Sequence, residues 1–243
     1  MGQNTMTPGP EITRRVDTIK QAMRENGLQS LIVFSQVVLG DKGAVRYVSG
    51  YRLLTRKDYL VLPLTGEPML VLPTLGQKLS ARQVSWIQDI RSEGDTTGIV
   101  RAVAAKIRND GHENAAVGVV GLCGMPHEDY ELLRKELPQA LFTDATGLLN
   151  SIRAVKSEEE IGLIRETTGI ADASYELLLD IVRPGVDERQ VMAEINKLLT
   201  LKGVEDTLIL TSKGRAFPCF IAPPGPYIFK EGDHYVFSIE ISG

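Results

Sequence analysis

Two oxygen-bearing side chains lie close together near the end of the sequence. The stretch EGDHYVFSIEISG (residues 231–243) begins as a turn and then alternates apolar residues with others, which predicts a half-buried β-strand. Ser238 and Glu240 share one face of that strand. A carboxylate there is a hard ligand for a divalent cation when a second carboxylate lies nearby. A glutamate that has no such neighbour is more often exposed or ion-paired.

A second candidate is the cationic pair Arg56-Lys57 in the stretch TRKDY, between a glycine-containing turn and an apolar strand. Such a pair is commonly a solvated loop. The alternative is a cation directed at a carboxylate ligand, because the planar guanidinium of arginine binds carboxylates through two parallel hydrogen bonds. The sequence leaves both interpretations open.

The other reactive residue types have no spacing that predicts a site. His112, His127 and His234 lack a second ligand at metal-site spacing; His112 and His127 are expected to be solvated or capping, and His234 is expected to be structural. Cys123 and Cys219 lie far apart and are expected to be buried thiols in a reducing compartment. No G-x-S-x-G or G-x-G-x-x-G motif occurs in the sequence.

Composition excludes some classes of protein. The chain has 243 residues, of which 43% are hydrophobic and 24% charged, as in an ordinary globular protein. A net charge of -4 argues against a nucleic-acid-binding surface. No apolar run approaches the roughly 18 residues of a membrane span, and residues 1–10 do not resemble a signal peptide. Residues 1–10 are predicted to be a disordered tail, and the expected location is the cytoplasm.

The first part of the chain alternates predicted strands with predicted helices, which indicates an α/β domain over residues 11–150. Its helices are predicted at 11–26, 96–109 and about 126–137, and its strands at 30–34, 58–64, 68–73, 115–120 and 140–146.

The remaining residues, 151–243, predict a different organisation. Ser157 and Glu160 form a capping box at the start of a long helix that ends before Pro184, and Asp187 caps a second helix. Two strands follow. A helix pair needs a sheet to cover its apolar stripes, and two strands provide a small one. This part therefore reads as the start of an α+β domain that is truncated.

Several segments together resemble the creatinase / aminopeptidase P / prolidase family. They are AVRYVSGY, GEPMLVLP, the long run LLNSIRAVKSEEEIGLIRETTGIADASYELLLDIVRPGVDERQV, and KEGDHYVF. The resemblance implies a creatinase-like mixed α/β N-terminal domain followed by an incomplete pita-bread catalytic domain. It also implies a hydrolase of a C–N bond in a small amino-acid-like or peptide substrate, acting as a homodimer.

The resemblance also assigns expected site residues. Peptidase members of the family bind two divalent metal ions (Mn, Co or Zn) through Asp, His and Glu side chains. Ser238 stands at the usual position of the first Asp, and Phe217 stands near the usual position of a substrate-binding His. The other ligands would lie beyond Gly243. In creatinase-like members an arginine from the partner subunit's N-terminal domain binds the substrate carboxylate, and Arg56 matches it.

Three outcomes remain open from these departures. The protein resembles creatinase, which hydrolyses a C–N bond without metal, or Glu240 replaces the missing Asp as a shifted ligand. The third alternative is a non-catalytic pita-bread binding module or inactive fragment. No nucleic acid or membrane is an expected partner.

Overall fold

The computed structural model describes residues 7–37, 43–53, 56–215 and 221–242. The chain forms two compact units, Met1–Val155 and Lys156–Gly243. Among the described residues, no helix combines the length and the apolar character needed to cross a bilayer.

A mixed sheet forms the centre of the first unit. The strands found among the described residues are β1 (Ser30–Gln36), β2 (Lys57–Pro63), β3 (Met69–Leu72), β4 (Asp89–Ser92), β5 (Ala116–Val120) and β6 (Leu141–Asp144). Their spatial order is β4-β3-β2-β1-β5-β6. Strand β2 runs antiparallel to β1 and β3, and the other neighbouring pairs are parallel.

Helices cover both faces of this sheet. They are α1 (Pro10–Glu25), α2 (Gly43–Ser49), α3 (Leu75–Val84), α4 (Thr96–Asn109), α5 (His127–Glu136) and α6 (Thr146–Ala154). One core lies between the sheet and α1, α2, α3 and α6, and the other lies between the sheet and α4 and α5. Alternation along the strands divides their side chains between the two cores: Leu31 and Val33 enter the first, and Ile32 and Phe34 enter the second.

The predicted mixed α/β fold class is confirmed, and α4 has the predicted bounds. Five elements were missed: α2, α3, β4, α6 and a short 3₁₀ helix at Leu122–Gly124. They are short, and tertiary packing stabilises them more than a periodic pattern does. Helix α1 begins at Pro10, and α6 runs across position 150 before the first unit ends at Val155.

The second unit consists of two helices and a hairpin-like pair of antiparallel strands among its described residues. These are α7 (Glu158–Ile181), α8 (Glu188–Leu201), β7 (Asp206–Gly214) and β8 (His234–Ser242). The capping box of Ser157 and Glu160 is present in both directions. Apolar residues of α8 pack with Leu178 of α7 and with Phe229 of the loop before β8.

A buried carboxylate joins three parts of the second unit. Glu188, at the first position of α8, is fully buried and accepts hydrogen bonds from Thr211 Oγ1 at 2.8 Å and from the Gly225 amide at 2.7 Å. Lys213 Nζ forms an ion pair with the same carboxylate. Burial opposes ionisation of Glu188, but these donors outweigh it and hold its pKa below the ordinary value. Glu188 therefore fixes β7 and the loop before β8 to the start of α8.

Removing this carboxylate should destabilise the second unit. We expect Glu188→Ala to lower the free energy of unfolding by about 3–5 kcal/mol, because a cation and a backbone amide lose their partner in a buried place. The matched control is Glu194→Ala on the same helix, whose ion pair with Lys197 is exposed, and it should cost less than about 0.5 kcal/mol. Urea unfolding followed by circular dichroism measures both. Equal losses would contradict the anchoring role.

One carboxyl in the first unit is buried and is hydrogen-bonded to none of the described residues. Asp58 on β2 is fully buried, and neither of its oxygens has a hydrogen-bond partner among the described residues. Burial raises its pKa well above the ordinary value. Burial also raises the pKa of the nearby Tyr51 to about 12, and the charge of Asp58 adds to that effect.

The raised pKa predicts a specific pH dependence. Between the ordinary carboxyl pKa and the raised one, the folded protein keeps a proton that the unfolded chain releases, so stability falls as pH rises. We expect the stability difference between Asp58→Asn and the wild type to grow by about 1.4 kcal/mol per pH unit above about pH 4. Trp86, the single tryptophan, packs against the core that contains Tyr51 and Leu60. Its fluorescence in urea titrations at several pH values measures the stability of both proteins. A difference that stays constant with pH would show that the carboxyl has a partner.

Candidate functional site

Arg56 occupies an unusual backbone conformation where β2 begins. Its φ is 66°, and it is the only non-glycine residue with positive φ in the part of the chain that the structure describes. A left-handed conformation costs a residue with a Cβ atom about 1–2 kcal/mol. The Val37 amide donates to the Arg56 carbonyl at 3.0 Å, which extends the β1–β2 ladder by one hydrogen bond. Strained residues of this kind concentrate at functional sites.

The left-handed conformation changes where the Arg56 side chain points. Side chains of a regular strand alternate, so Arg56 would share a face with Asp58 and Leu60, both of which are completely buried. Instead Arg56 is exposed. The backbone turn thus keeps a guanidinium out of an apolar core and presents it to solvent. No ion pair joins Arg56 to another described residue.

The opposite face of the same strand end is held by Asp129. This residue lies in the first turn of α5 and is 1% exposed. Its Oδ2 accepts hydrogen bonds from the Lys57 ammonium and the Tyr59 hydroxyl. Burial raises the pKa of Tyr59, and the hydrogen bond to Asp129 raises it further. One carboxylate therefore fixes two alternate residues of β2, directly after Arg56.

The structure places Ser238 and Glu240 on β8, opposite Leu210 and Leu208 of β7. The other face of β8 packs against the core of the second unit, as the alternation predicted. Glu240 is exposed and Ser238 is partly exposed. Their shared face is mixed: it carries Leu208 and Val236, each more than one third exposed, and by the strand register also Asp206, Ser212, His234 and Ser242.

Glu240 also lines an open groove of about 540 Å³ beside α7. The groove has apolar and hydroxyl side chains on its helix side, among them Leu163, Ile164 and Thr167. The described residues that line it include no second carboxylate beside Glu240.

The described residues do not fit the two-metal site that the resemblance implies. Among them, no group of three or more His, Cys, Asp or Glu side chains could hold a metal ion. A serine hydroxyl at position 238 is neutral and does not replace a carboxylate ligand for a hard cation. Phe217 lies outside the described residues, so its predicted place near the substrate stays a prediction.

Two expectations about other reactive residues were wrong. His112 is buried, and its Nδ1 shares a 2.8 Å hydrogen bond with Ser30 Oγ, because the chain before β5 folds back against the start of β1. Cys123 is exposed in a short 3₁₀ turn after β5. Cys219 lies outside the described residues.

Sequence reasoning missed Asp129. A carboxylate near a helix start is already explained by its favourable interaction with the helix dipole, so the residue type gives no signal of a further role. Lys57, its ionic partner, is 72 residues away in sequence, and no local pattern connects them. Sequence reasoning found the Arg56-Lys57 pair but did not predict that its two members differ in role. Lys57 is ion-paired with Asp129, whereas Arg56 has no ion pair with a described residue.

Comparison with protein-family models identifies the first unit. The family described as the Creatinase/Prolidase N-terminal domain matches residues 15–155.

Curated relatives extend the likeness into the second unit. An Xaa-Pro dipeptidase of Lactobacillus delbrueckii subsp. lactis is 27% identical over 215 residues, which are 84% of this chain and 55% of that protein. An uncharacterized hydrolase/peptidase of Sinorhizobium fredii is 26% identical over 199 residues, which are 77% of this chain and 49% of that protein. The ectoine hydrolase of Halomonas elongata is 35% identical over 69 residues, 28% of this chain and 17% of that protein. The chain spans about half the length of the first two relatives.

Solved structures share the fold. An Xaa-Pro dipeptidase from Bacillus anthracis has a TM-score of 0.72 at 18% identity, covering 94% of this chain and 60% of its own. An X-Pro aminopeptidase from Thermotoga maritima has a TM-score of 0.76 at 14% identity, covering 93% of this chain and 60% of its own. Together with the family match over residues 15–155, these findings show that the chain belongs to the creatinase / aminopeptidase P / prolidase family.

Proposed function

We propose that the protein is a hydrolase of a C–N bond in a small peptide or amino-acid-like substrate that carries a carboxylate. Relatives named Xaa-Pro dipeptidase and ectoine hydrolase support this class of reaction. The observation that carries the proposal is the exposed guanidinium of Arg56, held on a strained backbone in a domain of this family. Strain of this kind is retained where a side chain must have one direction.

Arg56 is proposed to bind the substrate carboxylate through two parallel hydrogen bonds. A guanidinium suits this role because its planar fork matches the two carboxylate oxygens and stays charged at all physiological pH values. Its backbone is already fixed, so little conformational freedom is lost on binding. We further propose a homodimer in which Arg56 of one subunit serves the substrate held by the other.

Ser238 at the position of an acidic metal ligand favours the creatinase-like, metal-independent branch of the family over the metallopeptidase branch. Glu240 as a shifted metal ligand is the competing proposal, and Phe217 beside the substrate remains a proposal too. The second candidate function is a non-catalytic binding module. It is supported by the same serine, which is not a carboxylate ligand for a hard cation.

Truncating Arg56 should weaken the binding of carboxylate substrates selectively. We expect Arg56→Ala to raise KM for Gly-Pro by about 10- to 100-fold with little change in kcat, because one charge-assisted bidentate contact is lost. KM for Gly-Pro amide, which lacks the carboxylate, should not change. Arg24→Ala, at an exposed arginine in the last turn of α1, is the matched control. An unchanged KM for Gly-Pro in Arg56→Ala would remove Arg56 from the site.

Chelation separates the branches of the family. If Ser238 marks the metal-independent branch, dialysis against EDTA should leave the rate of C–N hydrolysis within about twofold of its starting value, since a lost metal ligand or metal-bound water typically costs 10-fold or more. The assay uses Gly-Pro and creatine as substrates. Loss of activity that Mn²⁺ restores would contradict this expectation and would favour the shifted ligand Glu240. Absence of hydrolysis with retained binding of Gly-Pro would favour the binding module.

A further inference from the structure

We propose that Asp129 is a positioning residue for Arg56: by holding Lys57 and Tyr59, it keeps the start of β2 in the conformation that presents the guanidinium. The inference rests on the proposed function of Arg56. Asp129, a buried residue of α5, would then affect substrate binding without contacting the substrate itself.

Two side chains of β2 bind the same carboxylate oxygen. Lys57 and Tyr59 are alternate residues of β2 and therefore share one face. Both donate to the same oxygen, Asp129 Oδ2. Two contacts to one acceptor fix the position of this strand end and also its rotation about the strand axis.

Asp129 is itself held in place by helix α5. Asp129 does not move freely, because its amide donates to the Pro126 carbonyl at 3.0 Å in the first turn of α5. Leu133 and Leu137, one and two turns further on, are buried in the core beneath the sheet. The carboxylate is thus attached to a packed helix, and its ion pair with Lys57 holds that side chain in a fixed position.

The other face of β2 gives this strand end no polar side-chain contact among the described residues. Asp58 points there, and its carboxyl makes no hydrogen bond with a described residue. The contacts of Asp129 are therefore the polar side-chain anchors that the described structure gives to this strand end. Beyond them, the Val37 amide bonded to the Arg56 carbonyl holds the last rung of the ladder.

The contacts of Asp129 therefore affect the direction of the Arg56 side chain as well as the stability of the fold. If Lys57 and Tyr59 were released, regular alternation would carry Arg56 towards the buried face that holds Asp58 and Leu60. A left-handed arginine lasts only where its surroundings determine it. Loss of the anchor should therefore be felt as loss of the Arg56 contact with substrate.

The test is Asp129→Asn in the full chain, which removes the charge and keeps the shape. We expect KM for Gly-Pro to rise about 5- to 10-fold and kcat to stay within about twofold, as for a misplaced binding group. Hydrogen exchange at the Val37 amide should quicken, while exchange at Leu31, further along β1, should not. Asp110→Asn is the matched control, because it breaks another part-buried lysine–carboxylate pair, 2.6 Å from Lys106, at the end of α4. It should change neither KM nor Val37 exchange.

A double-mutant cycle distinguishes positioning from a general structural role. In the Arg56→Ala background, adding Asp129→Asn should change KM less than about twofold, because the group being positioned is already gone. Independent, multiplying effects would overturn the inference, as would an unchanged Val37 exchange in Asp129→Asn. If Asp129→Asn does not fold, Tyr59→Phe keeps the ring, loses one of the two contacts and should give a smaller shift in the same direction.

The cycle also separates this inference from the proposed function. If Arg56→Ala leaves KM for Gly-Pro unchanged, the proposed role of Arg56 fails, and the inference fails with it. Faster Val37 exchange in Asp129→Asn would then place the error in the role of Arg56 rather than in the contacts of Asp129. If Arg56→Ala raises KM and Asp129→Asn does not, only the positioning role is overturned.

Discussion

The start of β2 depends on one carboxylate that reaches it from a helix far along the chain. Asp129 holds Lys57 and Tyr59 on one face of the strand, and the adjacent Arg56 adopts a left-handed backbone and points to solvent. Without the turn at Arg56, alternation would place its guanidinium on the buried face that holds Asp58 and Leu60, out of reach of solvent. The arrangement separates two neighbouring cations: one is consumed as a structural anchor, and its neighbour is left available for a ligand.

The second unit uses a buried carboxylate in a different way. Glu188 joins β7 and the loop before β8 to the first turn of α8, with donors from Thr211, Lys213 and Gly225. The result is a pair of strands of which one face packs against the core and the other face carries Ser238 and Glu240. In both units an acidic residue near a helix start holds a strand: Asp129 holds β2, which begins after Arg56, and Glu188 holds β7, which pairs with the strand of Ser238 and Glu240.

Local patterns were sufficient for much of the fold. The bounds of α4 and the capping box at Ser157 both depend on interactions within a few residues, and sequence reasoning found both of them. The left-handed conformation of Arg56 and its link to Asp129 depend on contacts between distant segments. An arginine has no intrinsic preference for positive φ, so nothing in its neighbourhood signals that conformation. The resemblance identified Arg56 as a candidate, and the physical reason for its exposure became visible only in the folded chain.

The central claim is that Asp129 determines the backbone of Arg56. Crystal structures of the wild-type chain and of Asp129→Asn, determined with proline as a carboxylate probe, test it most directly. The account predicts a positive φ at Arg56 in the wild type, with its guanidinium exposed and able to reach the probe. It predicts an extended or disordered Arg56 in the variant. A left-handed Arg56 retained in Asp129→Asn, or an extended Arg56 in the wild type, would contradict it.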